Sequence, residues 1–469
     1  MAYTTFQEID SIYQQQQQYQ DSAKHSTAAQ RLKLLKQLLA ALKAKEDAIQ
    51  KALYQDFHKS AMETAITEQF AVEFELKHII KHLRKWMKNR SAGRSLMLPN
   101  VRAYLHFEAK GQALIITPWN YPFQLPMFHL AASVAAGNVT MLKLSELAVH
   151  TNQVVKEIIQ EVFPIAHVAV IEGEVAETSY LLNKRFDHIH FTGSPAVGKI
   201  VMAAASKHLT DITLELGGKS PAILDKNVAL ETAVKNIIWA KFVNAGQTCV
   251  APDYVLAPRQ LKLQLEQAFK TEIEEAFGKN PQHSPDFARI INEKHFKRLS
   301  QALEEAKPLG TQVLTGGDMD AKECYIAPTV VSNVAMNNSL MQEEIFGPIL
   351  PIVYYNQINE AIKFVNGKEK PLALYIFSKD DKFSNHVLRH TSAGSTCIND
   401  AMIQIMHPNL PFGGVNNSGL GQSTGWYGFK AFSHERAVAD VKLLPVSKVF
   451  WFPYTEKTFK ILRWMKKLI

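Results

Sequence analysis

Asp187-His188-Ile189-His190-Phe191-Thr192-Gly193-Ser194-Pro195-Ala196-Val197-Gly198 reads as a strand that ends in a glycine turn and passes straight into a helix. Glycine lets backbone come close to a ligand, and a helix N-terminus offers free N–H groups and a positive dipole end to phosphate. The spacing is G-x-x-x-x-G rather than the dinucleotide fingerprint G-x-G-x-x-G, so the turn alone also fits an ordinary strand–helix junction. What decides the fold is that the unit repeats. Short apolar strand candidates at Ala113–Thr117, Val139–Lys143, His167–Ile171 and Ile212–Leu216 surround it, with helical stretches such as Phe123–Ala136 and Thr151–Phe163 between them. Strand–helix alternation of this kind means right-handed crossovers and a parallel sheet covered on both faces. Ligands of such sheets sit beyond the carboxyl ends of the strands, where each informative turn here falls. The expected fold class is α/β.

Working outward, the first ninety residues read as helices, with Leu32, Leu35, Leu39 and Leu42 at helical spacing and the run Gln14–Gln18 expected on a wet face. Ser91-Ala92-Gly93 breaks this region, and the alternating stretch Val101–Glu108 suggests an exposed hairpin. A second α/β stretch runs from about Pro221 to Gly394. A glycine-rich region, Pro411–Gly428, and a strand candidate, Ala437–Val441, follow it. No fixed-period repeat is visible.

The 469 residues suggest about three domains or lobes. A hydrophobic share of 46% with 20% charged residues is that of a large globular chain with an ample core, which excludes disorder and fibrous repeats. Cys249, Cys324 and Cys397 are too few for a disulfide framework and too far apart for a CxxC-type metal site, so no metal is expected. They fit a reducing compartment. Met1–Thr5 lacks the charged and apolar regions of a signal peptide, and no apolar run reaches a membrane span, so a cytoplasmic protein is expected. The net charge of +8 is partly local, because Thr455–Ile469 carries five Lys or Arg against Glu456. No nucleic-acid motif accompanies it, and no nucleic-acid partner is expected.

Three stretches carry side chains that could do chemistry, each with a structural alternative. Asn244-Ala245-Gly246-Gln247-Thr248-Cys249 ends a helical segment. A cysteine there is either a small buried hydrophobe or, in so polar a turn, an accessible nucleophile. Glu215-Leu216-Gly217-Gly218-Lys219 sets a carboxylate at a strand end, where it is either solvated or a general base. Pro118-Trp119-Asn120-Tyr121-Pro122 holds an amide between two prolines, suited to an oxyanion.

PWNYPF, FTGS, ELGGKSP, NAGQTC, EEIFGP and LPFGG together, in this order and spacing, resemble the aldehyde dehydrogenase superfamily over nearly the whole chain. Gly246–Tyr254 and Phe432-Ser433-His434 are similar to its class 3, or fatty aldehyde dehydrogenase, branch. The resemblance implies a Rossmann-type NAD(P)-binding domain (1–94 and 109–217), an α/β catalytic domain (218–428), a small bridging β segment (95–108 and 429–441) and a basic tail (442–469). It implies that Cys249 attacks the aldehyde, that Asn120 and the Cys249 N–H hold the oxyanion, and that Glu215 activates the hydrolytic water. NAD or NADP is the implied cofactor. Lys143 and Glu146 are the implied contacts to the adenosine ribose, Gly193, Ser194, Val197 and Gly198 those to the pyrophosphate, and Trp119, Glu344 and Phe346 complete the set around the nicotinamide side. Tyr121, Met402, Ile405, Met406 and Phe412 match the substrate funnel, whose apolar character implies a hydrophobic aldehyde.

The chain departs from the family pattern at Leu144, Gln404, Asn416 and Ser423-Thr424, which stand where relatives carry Pro, His, Gly and Tyr-His. None belongs to the catalytic trio. A CoA-acylating relative would keep the fold and the cysteine but generally lacks the glutamate base. A catalytically silent binding protein would not need Cys249, Glu215 and Asn120 together. A homodimer is expected. Thr455 can cap a tail helix in which Ile461, Met465, Leu468 and Ile469 share one face, either packed on its own protein or a partner subunit, gating the funnel, or resting weakly on anionic membrane at its inner surface.

Overall fold

The computed structural model describes residues 3–467 apart from 96, 99 and 444. Its N-terminal third opens with the helices Phe6–Lys24, Ala28–Ala44, Glu46–Phe57 and Ala71–Trp86. Thr5 and Thr27 start the first two through capping boxes with Glu8 and Gln30, which satisfy backbone N–H groups that a helix end leaves bare. Leu32, Leu35 and Leu42 turn inward as the spacing predicts. The glutamine run is wet except at Gln16, which is fully buried: its amide donates to the Thr140 carbonyl and accepts from Gln112.

The first large sheet has six strands in the spatial order Gly419–Leu420, Asp211–Leu216, His188–Gly193, Gln112–Ile116, Val139–Lys143, Val168–Ile171. All neighbours are parallel except Gly419–Leu420, which runs against Asp211–Leu216. Burial of both faces is written in the strands: Ala113 and Ile115 enter one apolar cluster, Leu114 and Ile116 the other. The strand order reverses between Gln112–Ile116 and His188–Gly193, and the crevice beyond that point is where such a sheet binds its ligand.

The second sheet has seven strands, Gln312–Thr315, Thr329–Ser332, Ile349–Tyr355, Tyr254–Pro258, Pro221–Leu224, Ala373–Phe377 and Ser395–Ile398, parallel but for the first. Ala222 and Leu224 face one core and Ile223 the other.

The stretch expected as a hairpin is instead one long strand. Val101–Ala109 pairs along its length with Ser433–Val441, Val101 opposite Val441 and Ala109 opposite Ser433, and the two-residue strand Arg90–Ser91 lies on its other edge. Thr455 caps the tail helix Glu456–Met465 as expected, and no residue of that helix is buried. Ile461 and Met465 are half-buried; Leu468 and Ile469 lie outside the described residues.

Candidate active site

Cys249 is presented by a strained turn. After the helix Leu230–Phe242, Asn244, Ala245 and Gly246 all take left-handed backbone, with φ of 53°, 50° and 76°. A Cβ on Gly246 would collide with the Gly347 carbonyl, so glycine is required there. Non-glycine residues in that region are costly and persist only when their surroundings fix them. The fixing is visible. Asn244 Nδ2 donates to the Asn120 carbonyl at 2.7 Å, Asn120 Nδ2 donates to the Gln247 carbonyl at 3.0 Å, and the Asn244 N–H donates to Glu63 at 2.9 Å. Gln247 is tied to the Arg289 carbonyl and to the Ile291 N–H. The Pro118–Pro122 turn is thereby locked to the cysteine turn, and one of Asn120's two amide hydrogens stays uncommitted. Tyr121 adds a hydroxyl contact to Thr248 at 2.8 Å. Cys249 itself is partly exposed, and burial of its sulfur, with Glu344 and Glu215 nearby, pushes its thiol pKa up.

Glu215 sits next to last in its strand and is 2% exposed. The hydroxyls of Ser423 and, at 3.1 Å, Thr192 donate to its carboxylate. His129 Nε2 lies 3.4 Å from one carboxylate oxygen and His190 Nε2 3.7 Å from the other. Burial pushes the Glu215 pKa up, but His129, His190 and these contacts outweigh it and hold the carboxyl well below its ordinary range. His190 is itself pushed down to about 4, by burial first and then by His129. The sequence reading missed both histidines. The signal for His190 was there, a polar residue inside an apolar strand; His129 lies on a helix buried on nearly every side and gave none.

Two cavities open on this pair. The larger, about 1010 Å³, is lined by both polar and apolar groups and lies at the strand-order reversal of the first sheet. Trp119, Asn120, Gly193, Ser194, Glu344 and Phe346 line it. Ser194 caps the helix Pro195–Ser206, whose positive dipole end faces this space. The Gly217 Cα lies against the Glu344 carboxyl, with no room for a side chain, and burial with Asp253 nearby pushes that carboxyl to about 8. Phe346 meets Trp119 edge-on at 5.4 Å. A dinucleotide fits these features: a roomy crevice of mixed polarity, a glycine edge and the positive end of a helix dipole. Lys143, Glu146, Val197 and Gly198 are not in this lining. Lys143 is buried and donates to the Leu144 carbonyl, while Glu146 is exposed. The Val197 N–H is taken by Ser194. Gly198 has a packing reason, since a Cβ there would lie 2.7 Å from Leu216.

The smaller cavity, about 110 Å³, is apolar and holds all five expected funnel residues, Tyr121, Met402, Ile405, Met406 and Phe412. Its other wall was not anticipated: Ile66, Phe70 and Phe74 come from the N-terminal helices, Phe128 and Trp239 from two others. No Lys or Arg lines it. Among the described residues, Cys249 and Glu215 alone line both cavities.

Comparison with known proteins identifies the family. The profile described as "Aldehyde dehydrogenase family" matches residues 1–438. The chain belongs to the aldehyde dehydrogenase family. The 4,4'-diaponeurosporen-aldehyde dehydrogenase of Staphylococcus aureus is 40% identical over 429 residues, 92% of this chain and 93% of that protein. Aldehyde dehydrogenase family 3 member B1 of Mus musculus is 40% identical over 459 residues, 97% of each. A substrate-bound structure of Staphylococcus aureus AldH superposes with a TM-score of 0.94 at 39% identity, covering 97% of this chain and 99% of that one. The architecture is accordingly that of aldehyde dehydrogenases, and the class 3-like resemblance agrees with the family 3 relative.

Proposed function

We propose that this aldehyde dehydrogenase oxidises hydrophobic aldehydes, medium- to long-chain or aromatic, to carboxylic acids with NAD or NADP, through a covalent intermediate on Cys249. The observation that carries the reading is that Cys249 and Glu215 stand where a cavity of mixed polarity, large enough for a dinucleotide, meets an apolar one.

The Cys249 thiolate adds to the aldehyde carbon, and the oxyanion of the thiohemiacetal is held by the Cys249 N–H and the second amide hydrogen of Asn120. The nicotinamide, when bound, supplies the hydride acceptor that turns this adduct into a thioester. Glu215, ionised at neutral pH, takes a proton from the water that attacks the thioester, and Cys249 leaves. Trp119, Gly193, Ser194, Glu344 and Phe346 would hold the cofactor from the larger cavity. Lys143, Glu146, Val197 and Gly198 are assigned to the same task by family resemblance. The two large sheets and the three-stranded ribbon support a cofactor domain (1–94, 109–217), a catalytic domain (218–428) and a bridging segment (95–108, 429–441) through which two copies join. The tail from 442 carries exposed Trp451, Phe452, Phe459 and Trp464 among its cations, which supports a weak, salt-sensitive contact with anionic membrane. Among the described residues no helix is long and apolar enough to cross a membrane.

The test is aldehyde-dependent reduction of NAD and NADP, with and without CoA, for the wild type and Cys249→Ala. The expected result is a CoA-independent rate that the substitution abolishes while cofactor binding persists. A variant keeping more than about a hundredth of the rate would have lost under roughly 3 kcal/mol, too little for removal of a covalent nucleophile. An acyl-CoA product would overturn hydrolysis.

A further inference from the structure

A proton that Glu215 takes from water cannot remain on it. The residue is 2% exposed, two hydroxyls donate to its carboxylate and two imidazoles flank it. Surroundings of this kind favour the charged carboxylate over the neutral acid, so the proton must move on before the next turnover.

Among the described residues against that carboxylate, two can carry a proton onward, His129 on the helix Gln124–Ala136 and His190 on the strand His188–Gly193. Each approaches a different oxygen, His129 Nε2 at 3.4 Å and His190 Nε2 at 3.7 Å. Their rings stack with centroids 3.7 Å apart, and two imidazoliums so close would repel, so only one takes the proton. Location separates them. His190 is fully buried and lines neither cavity, and burial with His129 beside it pushes its pKa down to about 4. His129 borders the apolar cavity, as does Glu75 from the helix Ala71–Trp86. Glu75 accepts the Gly425 N–H at 2.6 Å, and burial raises its carboxyl to about 7 against the pull of that N–H and of His129. A group that exchanges protons near neutral pH thus waits on the far side of His129.

We propose that His129 is the proton carrier of the hydrolytic half-reaction, taking from Glu215 the proton of the attacking water and releasing it by way of the apolar cavity. The water gives its hydroxide to the acyl carbon and its proton to the Glu215 carboxylate. The C–S bond breaks, its electron pair leaves with Cys249 Sγ as thiolate, and the acid departs. The proton passes from Glu215 to His129 Nε2, making an imidazolium, and the ring then gives up a proton toward Glu75. Glu215 returns to its carboxylate and His129 to its neutral form, with no oxidant or reductant consumed. The proposal rests on reading Glu215 as the hydrolytic base. Cysteine addition and hydride transfer make no use of His129.

The test is stopped flow on the full chain with NAD and an apolar aldehyde, comparing wild type, His129→Ala and His129→Gln. Both variants should keep an NADH burst close to one equivalent per chain, with the steady rate lowered about a hundredfold. Alanine leaves room for a small base reached from the cavity, so added imidazole should restore the steady rate of His129→Ala in proportion to its concentration. Glutamine fills that room and carries no proton, so imidazole should leave His129→Gln unchanged. Should the alanine variant fail to fold, a larger solvent deuterium effect on the steady rate of His129→Gln than of wild type gives the same reading. A wild-type steady rate in a folded His129 variant overturns the proposal. So does equal loss of burst and steady rate, or a slow steady rate that neither imidazole restores nor deuterium slows further, since each is a packing defect. Glu215→Gln separates the two readings: a burst there, with a wild-type steady rate in His129→Gln, leaves the base standing and refutes the carrier alone.

Discussion

Cys249 and Glu215 are held by units built on different sheets and are, among the described residues, the two common to both cavities. Glu215 ends a strand of the six-stranded sheet, while Cys249 lies in the turn that feeds the seven-stranded one through Tyr254–Pro258. Nucleophile and base therefore keep their relation only while the two sheets stay docked, and the Asn120–Asn244–Gln247 network is the tie nearest the chemistry.

That tie makes Gly246 sensitive. Gly246→Ala puts a Cβ into the Gly347 carbonyl at a φ that alanine adopts at a cost of about 1–2 kcal/mol. The turn should yield before the core does. The expected outcome is a folded protein with a modest drop in Tm and a loss of kcat well beyond it. Wild-type kcat would show that the turn geometry does not position the sulfur.

The apolar cavity predicts substrate preference. Each CH₂ buried in it is worth about 0.8 kcal/mol, so kcat/KM should rise several-fold per methylene until the space is filled. Steady-state kinetics from acetaldehyde to decanal check this, and a flat series would contradict it.

Much of this was legible in the sequence. The strands of the first sheet announced themselves because a strand buried on both faces is a mostly apolar run, and each of the five expected there is present within two residues at either end. The funnel half contributed by 402–412 was legible through resemblance. What escaped depends on partners remote in the chain. Val101–Ala109 looked like a hairpin because its alternation is local, whereas its main partner, Ser433–Val441, lies more than three hundred residues on. Gln16 looked wet until the Thr140 carbonyl and Gln112 met it. Phe70 and Phe74 read as ordinary helix residues, and only the packing of the N-terminal helices on the catalytic turn makes them a cavity wall.

Glu63 predicts a pH effect. Burial raises its pKa to about 7 from an ordinary 4.5, against the opposing pull of Lys59 and the Asn244 N–H. A raised pKa means the folded state favours the protonated acid. That stabilising contribution is complete below about 4.5 and is lost as pH rises through about 7. Glu63→Gln, which cannot ionise, should therefore gain Tm relative to wild type across that window and hold the gain above it. Thermal melts from pH 4 to pH 8 read this directly, and a pH-independent difference would contradict it.

The tail should matter for delivery and not for chemistry, since no residue of Glu456–Met465 lines either cavity. Removing Lys457–Ile469 should reduce co-sedimentation with anionic vesicles, most at low salt, and cut long-chain activity while sparing short aldehydes. Unchanged long-chain activity, with neither form bound to vesicles, would make the tail merely structural.

The division of labour between Cys249 and Glu215 is tested most directly by pre-steady-state kinetics of Glu215→Gln. With the base removed, acylation proceeds and hydrolysis stalls, so stopped flow should show a rapid burst of NADH close to one equivalent per chain followed by slow turnover. A variant that gives no burst would show that Glu215 acts before hydride transfer, and the assignment of base to the second half of the reaction would be wrong.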